Sequence, residues 1–325
     1  MKKACIVGFG AIGPIHAKAI DELENVSFYA VCDNNPKKVK NCLESYDVKS
    51  YIDFDEMLKD TEIDTVHICT PHYLHFEMIE KALKAGKGVV CEKPVTMTED
   101  EYEKLCKNPD VKKVCVVLQN RLNPCALKFK EIAESGEMGA LKTARAVVTW
   151  MRDADYYNAD AWRGKWETEG GGVLINQAVH TLDYFSYILD GVKSVKAQMS
   201  NFSLENVIEV EDTVSASLTL KDGQKAVMFA TNAYGRDKLP EFEAVFENAT
   251  VKYEDATLYV DGEVVETDKK RDGVKSYWGI GHKALFMNYY EKDEYFSPLD
   301  IKNTMHTLFA IYESSKKESR EVTVG

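Results

Sequence analysis

No cysteine follows Cys125, so the last 200 residues of this 325-residue chain have none. No two cysteines form a CxxC pair, which gives no indication of a zinc knuckle or a thioredoxin-type site. No run of 18 apolar residues occurs, so neither a transmembrane helix nor a membrane role is expected. Basic residues are in deficit: 41 Lys and Arg stand against 53 Asp and Glu, a formal net charge of −12. An acidic surface repels phosphate backbones, so a nucleic-acid partner is not expected. The N-terminus MKKACIVGFGAIG has no small-residue cleavage site. Its glycines at 8, 10 and 13 mark a first strand and a turn instead of a signal peptide. Internal repeats and low-complexity segments are also missing.

What is present fits a globular protein with 45% hydrophobic and 29% charged residues. The length exceeds what one core usually serves and implies two domains, 1–122 and 123–325. Cys5, Cys32, Cys69, Cys91 and Cys115 each fall in or at the end of an apolar, strand-like run. Cysteines so placed read as small buried hydrophobes in a reduced, cytoplasmic core.

Over the first 120 residues strand-like and helix-like stretches alternate, the pattern of a parallel sheet with crossover helices. Pro36 suits the first turn of one helix, and Gly86 ends another. After about residue 122 long strand-like segments dominate, with Asp222-Gly223 and Asp261-Gly262 as hairpin turns. The fold class is therefore α/β: an N-terminal parallel sheet plus an α+β domain with a large, mainly antiparallel open sheet. Helices at 123–135, 172–190 and 281–292 are expected to cover one face of that sheet. The other face is expected to meet a second copy in a homodimer or homotetramer. A final amphipathic helix, 299–318, closes the chain, with packing back on the first domain as one option.

IVGFGAIG places Gly8, Gly10 and Gly13 in a G-x-G-x-x-G pattern after a strand and before a helix. This is the Rossmann context, and Ala11 and Ile12 complete the turn. The glycines allow a tight turn and bring a pyrophosphate to the helix N-terminus. Asp33, 20 residues after Gly13, ends the second strand where a carboxylate binds ribose hydroxyls. It favours NAD over NADP by repelling a 2′-phosphate. Lys37 and Lys38 are close enough in sequence to soften that preference.

Two later strand ends add to the crevice. CTPHYLH puts Thr70 and Pro71 beside the cofactor, with His75 either joining them or packing and hydrogen-bonding at a helix start. His72 and His75 have HxxH spacing but no third ligand, so no metal is expected. CEKP puts Glu92 and Lys93 at the end of another strand. Lys93, near a cationic nicotinamide and partly out of water, would have a lowered pKa and could engage a substrate hydroxyl. The alternative is a surface lysine paired with Glu92.

EGGGVLINQAVHTLD, from 169, opens a helix in which Asn176 and His180 project together at i and i+4. His180 is the natural base for alcohol oxidation, with Asp183 one turn on as its candidate orienter. In their order and spacing, GFGAIG with His16, CTPHYLH, CEKP and GGGVLINQAVHTLD resemble the Gfo/Idh/MocA oxidoreductase family, which includes glucose-fructose oxidoreductase and inositol 2-dehydrogenase. The resemblance spans essentially the whole chain. It implies that Lys93 and His180 are catalytic and that the Lys93-Pro94 bond is cis. Family members commonly carry an Asp four residues before the histidine. Here Asn176 stands there, able to orient a substrate but not to accept a proton.

Arg121, at the crossing between domains, and His282, at a helix start, are further substrate candidates. The stretch 150–166 adds Arg152, Tyr156, Trp162 and Arg163, since ring faces and polar tips suit sugars. The expected activity is NAD(P)-dependent oxidation of a sugar, cyclic polyol or sugar derivative. Two alternatives remain: a glycosidase using transient oxidation by NAD, and a non-catalytic dinucleotide-sensing regulator.

Overall fold

Six short strands, five of them rich in valine, isoleucine and cysteine, build the first sheet in a computed structural model, which describes residues 1–269 and 280–325. The strands are β1 (Lys2–Val7), β2 (Val26–Cys32), β3 (Lys49–Tyr51), β4 (Thr65–Ile68), β5 (Gly88–Cys91) and β6 (Val114–Val116). They are parallel, in the order β3-β2-β1-β4-β5-β6. Helices α1 (Gly13–Asp21), α2 (Pro36–Leu43), α3 (Phe54–Leu58), α4 (His75–Lys84) and α5 (Glu99–Cys106) lie between them in sequence. Every residue of β4 and β6 is buried, as expected of parallel strands covered on both faces. The strand order switches direction at β1, so the carboxyl ends of β1 and β4 border a ligand crevice. Local chemistry sets the helix starts: Asn35 accepts from the Lys37 N–H at 3.0 Å, and Asp53 from Glu56 at 2.8 Å.

The second unit holds β7 (Leu141–Thr149), β8 (Val192–Ser200), β9 (Thr213–Leu220), β10 (Lys225–Thr231), β11 (Glu241–Phe246), β12 (Thr250–Glu254), β13 (Thr257–Val260), β14 (Glu263–Thr267) and β15 (Val322–Thr323). Their order is β14-β13-β12-β11-β7-β10-β9-β8-β15, and the β7–β10 pair is parallel in an otherwise antiparallel sheet. Burial alternates along β9 and β11, so one face is core and the other is wet. Both Asp-Gly pairs form hairpin turns: Gly223 has φ 95°, and Asp261 and Gly262 have φ 50° and 88°. Helices α6 (Pro124–Ser135), α7 (Ala154–Asn158) and α8 (Val179–Tyr187) belong to this unit. Phe242 of β11 is fully buried among Phe129 of α6 and Tyr184 and Phe185 of α8, with ring centroids 5.1–5.6 Å apart. Burying such a ring contributes about 2–3 kcal/mol.

Three expectations change here. The helix expected over 172–190 opens with a π-helical turn, Val173–Ala178, before α8. The second domain does not run unbroken from 123 to 325, because Gly281–Asp300 belongs to the first unit. There α9 (Gly281–Met287) packs on α1, and the Val116 N–H donates to the Phe296 carbonyl at 2.8 Å, covering the β6 edge. The helix expected at 281–292 thus belongs to the first unit and not to the unit that holds the large sheet. Its Leu285 and Phe286 are buried in the first unit, Phe286 against the rings of His16 and His67. The last helix, α10 (Lys302–Lys316), belongs to the second unit, where Met305, Leu308 and Ile311 are buried and the helix packs on β8 and α8.

Candidate active site

In the first unit the chain leaves β1 through Gly8, whose φ is 90°. A Cβ there would stand 2.6 Å from the Cys69 carbonyl oxygen, so glycine alone fits this turn. Gly10 faces open space apart from the Lys38 ammonium, 3.7 Å from where its Cβ would be. Ala11 is exposed, and Ile12, at the N-cap of α1, gives no side-chain cap before Gly13. The first N–H groups of α1 are thus without a side-chain cap, and the cradle fits a pyrophosphate. Asp33 is buried, accepting from the N–H of Phe9 and of Asn35, each at 2.8 Å. Each carboxylate oxygen has a second lone pair for a ribose hydroxyl. Thr70 and Pro71 follow β4 half-buried.

Of the two expectations for His75, cofactor contact or packing at a helix start, the structure has the second: it is the first residue of α4 and fully buried. Its Nε2 lies 2.9 Å from the Thr70 carbonyl and its Nδ1 2.7 Å from the Pro94 carbonyl. It braces two loops instead.

The Lys93-Pro94 bond is cis. Lys93 is half-buried, and its backbone N–H meets Glu92 Oε2 at 3.3 Å. Glu92, also expected at the cofactor, turns inward. Its Oε1 lies 3.0 Å from His16 Nε2 and 3.7 Å from His282 Nε2. His16 Nδ1 is 3.0 Å from His67 Nδ1, and His67 Nε2 is 2.7 Å from Tyr290 Oη. Burial lowers the pKa of both His16 and His67, so both rings are neutral. Burial pushes Glu92 up, but hydrogen bonds from His16 and His282 outweigh it and hold the carboxyl well below its usual range. An ionised Glu92 only accepts, which fixes the proton order: Tyr290 donates to His67, His67 to His16, and His16 to Glu92. Among the described residues, His16, Glu92 and His282 bring three ligand-type atoms within 4.8 Å of one another. His282 is 2% exposed in this cluster and does not line a substrate wall.

In the second unit Gly170–Gly172 lead into the π turn. A Cβ on Gly172 would overlap the Glu211 backbone oxygen, so the chain passes here only as glycine. Glu211 supplies the cap, accepting from the N–H of Gly172 (2.9 Å) and Leu174 (3.1 Å) and from Tyr312 Oη (3.1 Å). Burial, opposed by these donors, raises its pKa to about 7. From Gly171 to Phe185 every residue is buried except Asn176 and His180. These two polar side chains, four apart, are the accessible part of an otherwise buried segment. Asn176 Nδ2 donates to Glu169 Oε1, and the Gly164 N–H donates to Glu169 Oε2, each at 2.5 Å. Burial raises the Glu169 pKa to about 7, with these two donors opposing and Glu211 adding to the rise.

Asp183 does not serve His180. It receives a bidentate pair from Arg121 at 2.6 and 2.7 Å and a hydrogen bond from Thr304 Oγ1 at 2.6 Å. Arg121, 4% exposed and stacked 4.8 Å over Tyr187, is therefore a core ion-pair residue and not a substrate ligand. The other substrate candidates form one stack. Arg152 lies over Trp150 and Tyr156 at 4.9 and 5.1 Å, and Arg163 over Tyr156 and Trp162 at 4.3 and 5.6 Å. Asp237 and Asp160 neutralise the two guanidiniums. Tyr156 Oη accepts from Gln177 Nε2 at 3.2 Å, which ties the stack to the segment carrying Asn176.

Sequence reasoning missed Glu169, Glu211, His67 and Tyr290. Glu169 adjoins the triple glycine, which is a positional signal. The others reach their partners only through the fold.

The family described as "Oxidoreductase family, NAD-binding Rossmann fold" matches residues 2–124, and the "GFO/IDH/MocA C-terminal domain" matches residues 126–252. An uncharacterized oxidoreductase of Bacillus subtilis, YrbE, is 30% identical over 73% of this chain and 69% of its own length. Myo-inositol 2-dehydrogenase of Thermotoga maritima is 26% identical over 72% and 70%. The WlbA dehydrogenase of Bordetella pertussis, solved with NADH and UDP-GlcNAcA, superposes with a TM-score of 0.88 at 25% identity, covering 100% of this chain and 98% of that one.

Proposed function

The chain belongs to the Gfo/Idh/MocA oxidoreductase family, and we propose that it oxidises a CH–OH group of a sugar, cyclic polyol or sugar derivative with NAD. The observation that carries this reading is the pair Asn176 and His180, accessible in a segment otherwise buried from Gly171 to Phe185. The substrate class rests on relatives that act on myo-inositol and D-glucosides and on the UDP-GlcNAcA complex.

NAD, when bound, supplies the hydride acceptor. Gly8, Gly10, Ala11, Ile12 and Gly13 would hold its pyrophosphate, Asp33 its ribose hydroxyls, and Thr70 and Pro71 would border it. Lys93 donates a hydrogen bond to the reacting oxygen and stabilises the negative charge that develops there. His180 takes the hydroxyl proton as general base. Asn176 orients the substrate without taking a proton. The stack of Arg152, Tyr156, Trp162 and Arg163 offers ring faces to sugar C–H groups.

The wet face of the large sheet carries Val227 and Phe229, 54% and 40% exposed, and it is the surface on which a second copy would pair. Eight free cysteines, seven of them buried, suit a reducing cytoplasm. The test is a panel of sugars, cyclic polyols and nucleotide sugars followed at 340 nm with NAD and NADP in parallel. NADH formation with at least one substrate is expected. Silence across the panel contradicts the reading.

A further inference from the structure

His75 is a buried side chain with more acceptors around it than a neutral ring can serve. The ring is 0% exposed, and each nitrogen faces a backbone carbonyl: Nδ1 the Pro94 oxygen at 2.7 Å, Nε2 the Thr70 oxygen at 2.9 Å. A carbonyl only accepts, and a neutral imidazole has one N–H. One proton therefore serves one contact and sets a lone pair against an oxygen in the other. A ring protonated at both nitrogens satisfies both, with two charge-assisted hydrogen bonds.

Both carbonyls belong to the site. Thr70 lies against the glycine turn, where a Cβ on Gly8 would stand 3.0 Å from the Thr70 backbone nitrogen. Pro94 follows Lys93 directly. We propose that His75 is a positioning residue that works as a proton-operated clamp: with two protons it ties the floor of the cofactor cradle to the lysine turn, and with one it releases one of them. NAD and the second proton then favour each other, because NAD uses the clamped crevice and brings a net negative charge toward a buried cation. The proposal rests on the dehydrogenase reading for what Lys93 does, but not for the proton itself.

Burial holds the His75 pKa below its ordinary 6.5, against the pull of the Pro94 and Thr70 carbonyls. Without NAD the second proton is therefore taken up only on the acid side of neutrality. The charged and titratable groups around the ring are Glu92, which favours the proton, Lys93, which opposes it, and His72, whose ring centroid is 5.8 Å away. The strands packed on α4 and their ends add His67, Cys69 and Cys91. Burial keeps these three neutral, lowering the pKa of His67 and raising those of the two thiols.

The proton can be observed without any substrate. The ring ¹⁵N resonances of His75, identified by their disappearance in His75→Gln, are followed from pH 5 to 8 in the full chain with and without NAD. The expected result is a ring that gains its second proton at a higher pH with NAD than without. Equal midpoints, or a ring that stays singly protonated down to pH 5 in both states, overturn the proposal.

Linkage makes the effect reciprocal. NAD is expected to bind roughly tenfold more tightly at pH 5.5 than at pH 8, the worth of one hydrogen bond to a charged group. His75→Gln, whose amide keeps a donor for one carbonyl, is expected to bind NAD more weakly and without that pH dependence. A pH dependence that survives His75→Gln undiminished overturns the clamp. Where that variant does not fold, calorimetry of NAD binding to the wild-type chain at pH 6.5, in buffers of different ionisation enthalpy, decides the matter: proton uptake is expected, and no uptake overturns the proposal. If no sugar or polyol is turned over but His75 gains its second proton with NAD, the dehydrogenase reading fails and the clamp stands.

Discussion

The ion pair between Arg121 and Asp183 gives a prediction that separates scaffold from site. Both side chains are nearly inaccessible, at 5% and 2%, and two short hydrogen bonds join them. Arg121→Met removes the guanidinium and leaves the Asp183 carboxylate with the Thr304 hydroxyl. It also removes the stacking on Tyr187. Breaking one side of a buried pair costs about 3–5 kcal/mol, mostly because the remaining charge is stranded. At about 2–4 °C per kcal/mol for a unit of this size, the second unit's melting temperature should fall roughly 6–20 °C. Arg121→Met with Asp183→Leu removes the stranded charge and should regain most of that loss. The assay is thermal melting by near-UV circular dichroism, with substrate KM measured well below the transition. The reasoning predicts a large melting shift with KM within about threefold of wild type, a range set by the pair's burial away from solvent. An unchanged melting temperature with a tenfold or larger rise in KM would refute it and return Arg121 to the substrate site.

Other predictions follow from the same geometry. Phe242→Ala empties the centre of an aromatic cluster and should destabilise the second unit by about 3–5 kcal/mol, read by denaturant unfolding. Gly8→Ala forces a Cβ to within 2.6 Å of the Cys69 carbonyl, so NAD binding measured by fluorescence should be lost while the second unit's melting is kept. Glu211 has a pKa raised to about 7 from an ordinary 4.5, so the folded state holds a proton that the unfolded state releases. Its stabilising contribution is complete below about pH 4.5 and is lost as the pH rises through about 7. Glu211→Gln should flatten the fall in melting temperature over that window, and an unaltered slope counts against the assignment.

Much of this protein is legible in its sequence because the informative residues are local. Gly8, Gly10, Gly13 and Asp33 declare the cradle through spacing alone, and β1, β2, β4, β5 and β6 declare themselves as apolar runs between helical stretches. The pair Asn176 and His180 follows from helical spacing, although the π turn beneath them does not. What was not legible depends on long-range pairing. Nothing near Arg121 in sequence announces Asp183, 62 residues away. Nothing near His282 announces that its helix returns to the first unit and faces Glu92. Glu92 follows the end of β5 and His75 opens α4, both close to where a ligand residue is expected, yet each side chain turns inward, because buried partners there satisfy it better than solvent would.

The central claim, a dehydrogenase in which Lys93 acts on the reacting hydroxyl, is tested most directly by pre-steady-state NADH formation in wild type and Lys93→Met with a substrate from the panel. A positioned side chain of this kind is worth roughly 10²–10⁴ in rate. The account predicts a loss of at least about 100-fold in the hydride-transfer rate with NAD affinity retained. A Lys93→Met variant that forms NADH at the wild-type rate would contradict it.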